Sequence, residues 1–292
     1  MLPYFLKKIR KVIKIKFQVL MTGSDGNCCV LNYKNTTILI DAGFQTKGKM
    51  EELLTPILMK YKIDGIIITH EHTDHLSQWT GRLSMDYNIP IYLHEKHIER
   101  EVNRKTKYFS YIDRKKNEEK QADLRFIKEN EEFQIGDLTI YPFTVYHDAA
   151  KTLGFRFNED TFAYVSDCGF LSNNIKKELL KVNNLALEFN YDKAKIMNSE
   201  RFWQNKDRSL DIFGHLCNEE AVNFLIYAKK IWNKEYKKVI TLHSSALHNS
   251  EECIIKETNR MLYEEGILSN QIDTQLIISK RENNNEIDFG DD

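Results

Sequence analysis

Cysteine and proline are scarce in this chain of 292 residues, which has 5 cysteines and 4 prolines. The cysteines are scattered and form no CxxC pair, which argues against a disulfide framework and favours reduced thiols. Long apolar runs are absent too, since none approaches the roughly 20 residues that cross a bilayer. The mixed basic and apolar opening segment is followed by no small-residue cleavage site. We therefore expect a cytoplasmic protein.

An excess of positive charge is also lacking. The chain has 42 Lys and Arg residues against 43 Asp and Glu residues, so an anionic substrate would have to be attracted by a local field. Hydrophobic residues make up 41% and charged residues 29%, which is ordinary for a globular protein. Because no repeat or linker divides the chain, we expect a single domain over residues 1–292.

Short β segments dominate the first half of the chain. Turn-forming residues separate them, and they lie at residues 14–22, 28–33 and 36–44. In the second half, strands alternate with helices expected near residues 171–183, 217–233 and 250–265. This order favours two packed sheets covered by helices. The predicted fold class is α/β or α+β, in a four-layer αββα sandwich.

Three segments have a different character. Residues 95–121 are highly charged, and we expect an exposed helix and loop there, with His94 and His97 at the surface. Residues 1–13 are interpreted as a basic N-terminal arm that leads into a strand. The polar tail "RENNNEIDFGDD", residues 281–292, is expected to be disordered.

The stretch "ITHEHTDHL", residues 68–76, concentrates metal-ligating side chains at the end of a buried strand. On an extended segment, residues i and i+2 point the same way, so His70 and His72 can reach one ion. Asp74 and His75 lie on the turn beyond, where they can be directed at a neighbouring ion. Zinc binds imidazole nitrogen and carboxylate oxygen, and a catalytic site keeps one position open for water. A lone histidine is usually not a ligand, but four ligand-type residues within six positions indicate a metal site.

This stretch resembles the HxHxDH signature of the metallo-β-lactamase superfamily. Further motifs of that family match at predicted strand ends, in the expected order: Asp41 in "ILIDAG", His147 in "VYHD", Asp167 in "VSDCG" and His243 in "TLHS". The resemblance implies that one divalent ion is held by His70, His72 and His147. It implies that a second is held by Asp74, His75 and His243, with Asp167 between the two.

The role of Asp41 has two interpretations. By the resemblance it orients the histidine loop without binding a metal, a support that metal ligands commonly require. Taken alone, it can equally be a helix cap or a turn residue.

A site for two divalent ions, Zn or Mn, suits displacement at phosphorus, because bound metal makes hydroxide available near neutral pH. The expected reaction is hydrolysis by a hydroxide that bridges the two metals.

The metal site alone does not determine the substrate, since the superfamily includes lactamases, thioesterases, lactonases and nucleases. Over roughly residues 14–280, segments such as "GSDGN", "LALEFNYD", "FGHLCNEEAVNFL" and "LHSSALHN" resemble the bacterial YycJ or WalJ group of DNA exonucleases. More distantly, "LEFN" and "GHLCNEEA" resemble elements of tRNase Z and RNase J. That resemblance implies catalytic roles for His215, oriented by Glu188, beside Asp74. Alternatively, His215 is a helix-entry residue and Glu188 an ordinary strand end.

Substrate contacts are less clear from the sequence. Ser24 and Asn27 in "GSDGN" can present donors to a phosphate or can form an ordinary hairpin turn. His248 falls where the resembling group tends to have Asn, which leaves its role open. The basic arm, a basic cluster within residues 104–116, and the aromatic residues Tyr108, Phe109 and Tyr111 can follow and stack on nucleic acid. Neighbouring Glu residues weaken that interpretation.

The leading hypothesis is a DNA exonuclease that requires two metal ions, with nucleic acid as its partner and no membrane association. One alternative is a small-molecule hydrolase of the same fold, such as a cyclic phosphodiesterase, and another is an RNA-processing nuclease. Activity on a short diester but not on a polymer would favour the small-molecule enzyme. A binding protein that has lost catalysis normally lacks ligands, and every expected ligand is present here.

Overall fold

The structure is a computed structural model that describes residues 15–99, 108–113, 118–159, 161–199, 209–268, 271–282 and 284–289. The predicted basic arm lies outside the described residues. So does the predicted basic cluster, made of Arg104, Lys105, Lys107, Arg114, Lys115 and Lys116. The part of the nucleic-acid hypothesis that depends on these residues stays a prediction.

The first of two large sheets is built mainly from the first half of the chain. Its strands, numbered in chain order, are β1 (Ile15–Met21), β2 (Cys28–Tyr33), β3 (Thr36–Ile40), β4 (Gly65–Ile67), β5 (Ile91–Leu93), β8 (Leu124–Phe126) and β16 (Ile287–Asp288). They lie in the order β16, β1, β2, β3, β4, β5, β8. From β3 to β8 the neighbours are parallel, so the carboxyl ends of β3 and β4 lie at one edge.

The second sheet comes from the second half. Its strands are β9 (Phe133–Ile135), β10 (Leu138–Val145), β11 (Thr152–Phe157), β12 (Phe162–Val165), β13 (Asn184–Glu188), β14 (Lys238–Leu242) and β15 (Gln275–Ile277). The order is β15, β14, β13, β12, β11, β10, β9, and β12 to β15 are parallel. All residues of β12 and β13 are buried, as expected for central strands that are covered on both faces.

Helices cover the outer faces of both sheets. Over the described residues they are α1 (Lys47–Lys60), α2 (Gln78–Tyr87), α3 (Lys96–Glu99), α4 (Asn173–Leu179), α5 (Lys193–Met197), α6 (Asn218–Trp232) and α7 (Glu251–Glu264). Hydroxyl groups begin several of them: Ser77 forms a capping box on α2, and Ser250 caps α7. None of the helices in the described ranges combines the length and apolar character needed to cross a membrane.

Three hydrophobic clusters fill the spaces between the four layers of helices and sheets. One contains Ile57 of α1 and Leu83 of α2 packed on the first sheet. The second, with Phe17, Phe155 and Phe162, fills the space between the sheets, and a third joins the second sheet to α4, α6 and α7. The predicted four-layer sandwich is confirmed.

The charged segment 95–121 differs from its prediction. Where it is described, it contains the short helix α3 and an antiparallel pair, β6 (Ser110–Asp113) with β7 (Glu118–Gln121). His94 and His97 are 5% and 0% exposed, so placing them at the surface was wrong. His94 Nε2 lies 3.1 Å from Glu129 Oε2, and His97 Nε2 lies 2.9 Å from the Lys151 carbonyl oxygen. Polar partners therefore explain how both imidazoles can be buried.

The tail was also wrongly predicted to be disordered throughout residues 281–292. Strand β16 pairs with β1, and Phe289 is buried in the cluster between the sheets. Glu286 adds a polar anchor: its carboxylate accepts from Lys16 Nζ at 3.0 Å and from Lys60 Nζ and the Tyr61 hydroxyl at 2.8 Å. Burial alone would raise the pKa of Glu286, but these partners outweigh it and lower the pKa to about 2.

We expect Glu286→Gln to destabilise the protein by about 1–2 kcal/mol at neutral pH, after allowance for solvent screening. Because the folded pKa is depressed, the stabilisation is complete above the unfolded pKa of about 4.3. It is lost as pH falls through the folded value of about 2. Urea unfolding of both proteins across this range measures the difference, which should shrink as the solution becomes more acidic. Equal stability at neutral pH would contradict the anchoring role.

Candidate metal centre

Ligand-type residues follow the carboxyl ends of strands in both sheets. Asp41 comes directly after β3 and His243 directly after β14, while Asp167 lies two residues beyond the end of β12. All three have left-handed backbone conformations, with φ of 59°, 52° and 51°. Such conformations are unfavourable for non-glycine residues and concentrate where a site requires them. The chain therefore turns sharply at these strand ends and brings the side chains together.

The first candidate ligand group consists of His70, His72 and His147, whose ligand atoms lie within 4.8 Å of one another. His147 Nδ1 donates to the Gly214 carbonyl oxygen at 2.9 Å, which leaves Nε2 as the nitrogen that can bind a metal. His70 Nδ1 lies 3.0 Å from the Thr69 hydroxyl oxygen. Such partners fix ring orientation and tautomer, as metal-binding histidines require.

The second candidate group consists of Asp74, His75 and His243, again within 4.8 Å. His75 Nδ1 donates to Asp41 Oδ2 at 2.7 Å. Asp41 is fully buried, and it also accepts from the backbone N–H and the hydroxyl of Thr69, both at 2.8 Å. Asp41 is therefore hydrogen-bonded to the histidine loop at both Thr69 and His75.

Asp167 lies between the two groups. Its Oδ1 is 3.6 Å from His147 Nε2 and 3.5 Å from His243 Nε2, while its Oδ2 is 3.2 Å from His75 Nε2. Oδ1 therefore lies within 3.6 Å of an imidazole from each group, so this carboxylate can contact two ions together.

Buried polar atoms in this cluster fit a cation. Among the described residues, His70 Nε2, His243 Nε2 and Asp167 Oδ2 have no hydrogen-bond partner, although each is buried. An unsatisfied buried polar atom is costly, and a metal ion would satisfy all three. Imidazole and carboxylate donors are those that Zn and Mn accept.

The electrostatics of the cluster also favour a cation. Burial would lower the pKa of His243, but the neighbouring carboxylates of Asp167, Asp74 and Glu188 outweigh it and raise the pKa to about 10. Burial would raise the pKa of Asp167, yet the neighbouring imidazoles hold it well below its usual range. The carboxylates thus stay ionised and create a negative potential in a buried space. Divalent cations can take the place of the protons that this potential retains.

Glu188 and His215 form a pair beside the cluster. His215 Nδ1 donates to Glu188 Oε1 at 2.8 Å and lies 3.7 Å from Asp167 Oδ1. The same Glu188 oxygen is 3.0 Å from His243 Nδ1, and its other oxygen accepts from the backbone N–H groups of Cys168 and Leu216. Glu188 is completely buried, whereas the His215 side chain is 22% exposed. One fixed carboxylate therefore orients both a candidate ligand and a solvent-accessible imidazole.

Two of the three predicted substrate contacts are buried. Ser24 is exposed on its loop, but Asn27 is 1% exposed, and its amide bonds Gly23, the Asp74 carbonyl oxygen and His75 Nε2. The structure thus gives Asn27 a supporting position beneath the Asp74 turn. His248 is 4% exposed, and it is absent from the metal-ligand groups found among the described residues.

Of the three predicted stacking aromatics, Phe109 is buried in the cluster beneath the first sheet, so assigning it to base stacking was wrong. Tyr108 is partly buried against the same cluster. The Tyr111 ring contacts the Arg82 guanidinium at 3.3 Å, and its hydroxyl donates to Asp86. Local packing therefore accounts for these rings, because aromatic residues in a charged segment still fill whatever apolar space lies beneath it.

Gly43 allows the close approach of two backbones at the site. A Cβ at this position would lie 1.8 Å from the Asp74 carbonyl oxygen and 2.4 Å from the His75 nitrogen. We expect Gly43→Ala to displace the turn and weaken metal binding by roughly tenfold or more, measured as ions retained against a competing chelator.

Gly48→Ala is the matched control for Gly43→Ala. A Cβ on Gly48 meets no described atom within 4 Å, and alanine favours the helix α1 in which it lies. Gly48→Ala should bind metal normally. Normal binding by Gly43→Ala would show that the turn tolerates displacement.

Comparisons with known proteins identify a family and several relatives. A family model described as a β-lactamase superfamily domain matches residues 36–230. The chain is 30% identical over 243 residues to exodeoxyribonuclease WalJ of Streptococcus pneumoniae strain D39, covering 82% of this chain and 85% of the relative. It is 26% identical over 260 residues to exodeoxyribonuclease YycJ of Bacillus anthracis, covering 86% and 90%. The fold is similar to the metallo-β-lactamase fold protein YhfI of Bacillus subtilis, with a TM-score of 0.65, 15% identity, and coverage of 94% and 99%.

Proposed function

Because the chain belongs to the β-lactamase superfamily, we propose that it is a two-metal phosphodiesterase that hydrolyses nucleic acid, and specifically a DNA exonuclease. The predicted membership of the metallo-β-lactamase superfamily and the likeness to YycJ and WalJ are confirmed. The chain is a hydrolase of this fold.

Two divalent ions would be held by the groups already described, with Asp167 shared between them. When bound, they would activate a water molecule for attack on phosphorus and neutralise charge on the phosphoryl oxygens. The chain's own residues fix the ligands for this purpose. Asp41 and Glu188 each accept a hydrogen bond from a histidine Nδ1, so the opposite nitrogen of that ring is directed into the cluster.

The observation that carries the proposal is the His215 and Glu188 pair beside the cluster. With Nδ1 bound to Glu188, His215 has Nε2 left to face a bound substrate. In hydrolysis of a phosphodiester, one P–O bond forms from water and another breaks, and the departing oxygen needs a proton. His215 Nε2 can supply that proton, since the hydrogen bond from Nδ1 to Glu188 fixes the ring and leaves Nε2 as the nitrogen that can reach the substrate.

The polymer substrate is supported by the two relatives, whose names describe exodeoxyribonucleases. This chain and WalJ are 30% identical over most of both chains, so their similarity extends well beyond the metal motifs. We also propose a cytoplasmic location, because all five cysteines are free thiols.

The test is cleavage of 5′-labelled single-stranded and double-stranded DNA and RNA with Zn, Mn or a chelator, beside a cyclic diester. We expect products that shorten progressively from one end of DNA, dependence on the added metal, and little cleavage of RNA. Internal cuts or preferential cleavage of RNA would replace the DNA exonuclease with another nuclease. Hydrolysis of the cyclic diester alone would indicate the small-molecule enzyme.

A further inference from the structure

Asp148 lies directly after His147, in the turn between β10 and β11. Its Oδ1 is 3.2 Å from His147 Nε2 and 3.8 Å from His72 Nε2. His147 uses Nδ1 to bond Gly214, so the Nε2 that Asp148 approaches is the nitrogen available to a metal. A carboxylate oxygen therefore occupies the space toward which two histidines of the first group are directed.

The spacing matches that between ligands of one ion. Bonds of about 2.1 Å in a tetrahedral zinc site place neighbouring ligand atoms roughly 3.4 Å apart. In the second group, Asp74 Oδ2 lies 3.5 Å from His75 Nε2 and 3.7 Å from His243 Nε2. The two distances from the Asp148 oxygen, 3.2 and 3.8 Å, bracket these values. The geometry points to Asp148 as a further ligand of the metal ion held by His70, His72 and His147.

The histidine motif itself positions Asp148. Glu71, between the first two histidines, is 5% exposed, and its Oε1 accepts from the Ala150 backbone N–H at 2.7 Å. This hydrogen bond ties the turn containing Asp148 to the segment that carries His70 and His72. The Asp148 side chain remains 31% exposed, which leaves room on the solvent side for substrate or water.

A second carboxylate at the first ion changes the chemistry of that position. Three imidazoles alone suit zinc, whereas carboxylate oxygen favours harder ions such as Mn²⁺. With Asp148 and Asp167 both present, the first ion would have two anionic ligands. Loss of Asp148 should therefore weaken Mn²⁺ binding more than Zn²⁺ binding. This inference rests on the metal-binding part of the proposed function and is independent of the substrate.

The test uses the full chain carrying Asp74→Ala, which disables the second group so that the first ion is observed alone. Mn²⁺ or Zn²⁺ is titrated into metal-free protein against a competing chelator, with and without Asp148→Asn, and bound Mn²⁺ is followed by electron paramagnetic resonance. We expect Asp148→Asn to weaken Mn²⁺ binding roughly tenfold or more, with a smaller loss for Zn²⁺. Glu71→Gln should give a smaller loss of the same kind.

Each outcome has a defined meaning. Unchanged Mn²⁺ affinity in Asp148→Asn overturns the assignment, and so does an equal loss for both metals. Thermal unfolding of the metal-free proteins checks the fold, and Asp148→Ala replaces Asp148→Asn if the asparagine disturbs the turn. If Mn²⁺ affinity falls as expected but the wild-type chain cleaves no nucleic acid, the proposed function fails while Asp148 remains a ligand.

Discussion

Asp74→Ala should reduce nucleic-acid cleavage about a thousandfold and leave the fold intact. The Asp74 carboxylate lies between His75 and His243, so its removal takes the anionic member from the second group. A metal ion contributes several kcal/mol to such reactions, and loss of about 4 kcal/mol corresponds to this factor. The expected loss of rate should accompany loss of about one bound ion per chain.

Structural integrity is expected because the backbone of Asp74 makes the hydrogen bond that holds this turn against Asn27. The Asp74 carbonyl oxygen accepts from the Asn27 backbone N–H at 2.7 Å, and alanine preserves that bond. The side chain is 20% exposed, so its deletion leaves no closed cavity. Thermal unfolding of the metal-free proteins checks the fold, while elemental analysis counts the ions.

Asp123→Ala is the matched control for Asp74→Ala. Its carboxylate pairs with Arg125 at the surface. Asp123 directly precedes β8, whereas the metal centre lies beyond the carboxyl ends of the parallel strands, so the two are at opposite ends of the sheet. Wild-type rates are expected for Asp123→Ala. Wild-type rates in Asp74→Ala would contradict the assignment of the second group, and a shared loss in both variants would indicate a general effect of removing charge.

The convergence of the metal centre could be predicted from the sequence because its signals are local. His70 and His72 are two residues apart on an extended segment, and Asp74 and His75 follow on the next turn. The other candidate ligands, His147, Asp167 and His243, each come within two residues of an apolar run. Apolar runs predict buried strands, and residues beyond the ends of parallel strands meet at one edge. The family motif then supplied the division of ligands between two ions.

The features that the sequence could not predict depend on contacts between residues that are far apart in the chain. The polar tail resembles a disordered segment, but Glu286 bonds Lys16, 270 residues earlier, and β16 completes the first sheet. Asn27 belongs to a turn-like stretch, yet the Asp74 turn packs over it and buries its amide. Asp148 gives no spacing signal, because a carboxylate directly after a motif histidine also fits an ordinary surface turn.

His215→Ala should lower turnover roughly a hundredfold to a thousandfold while metal content stays normal. His215 belongs to neither of the two groups proposed to hold the ions. It also lies close enough to Asp167, Glu188 and His243 to share a metal ion with them, but its Nδ1 already donates to Glu188 Oε1 at 2.8 Å. Removing the imidazole leaves Glu188 bonded to His243 and to two backbone N–H groups, so the carboxylate keeps its position. Glu188→Gln would be a poorer test, since it would disturb His215 and His243 together.

The nature of the leaving group separates proton donation by His215 from simple positioning. A departing nucleoside oxygen needs a proton, whereas p-nitrophenolate departs without one. We therefore expect His215→Ala to lose far more activity on DNA than on a nucleotide p-nitrophenyl ester, with metal content unchanged in both assays. An equal loss on the two substrates would assign His215 to substrate positioning, and a loss of bound metal would make it part of the metal centre. Only the selective loss is explained by an imidazole that gives its Nε2 proton to the oxygen leaving phosphorus.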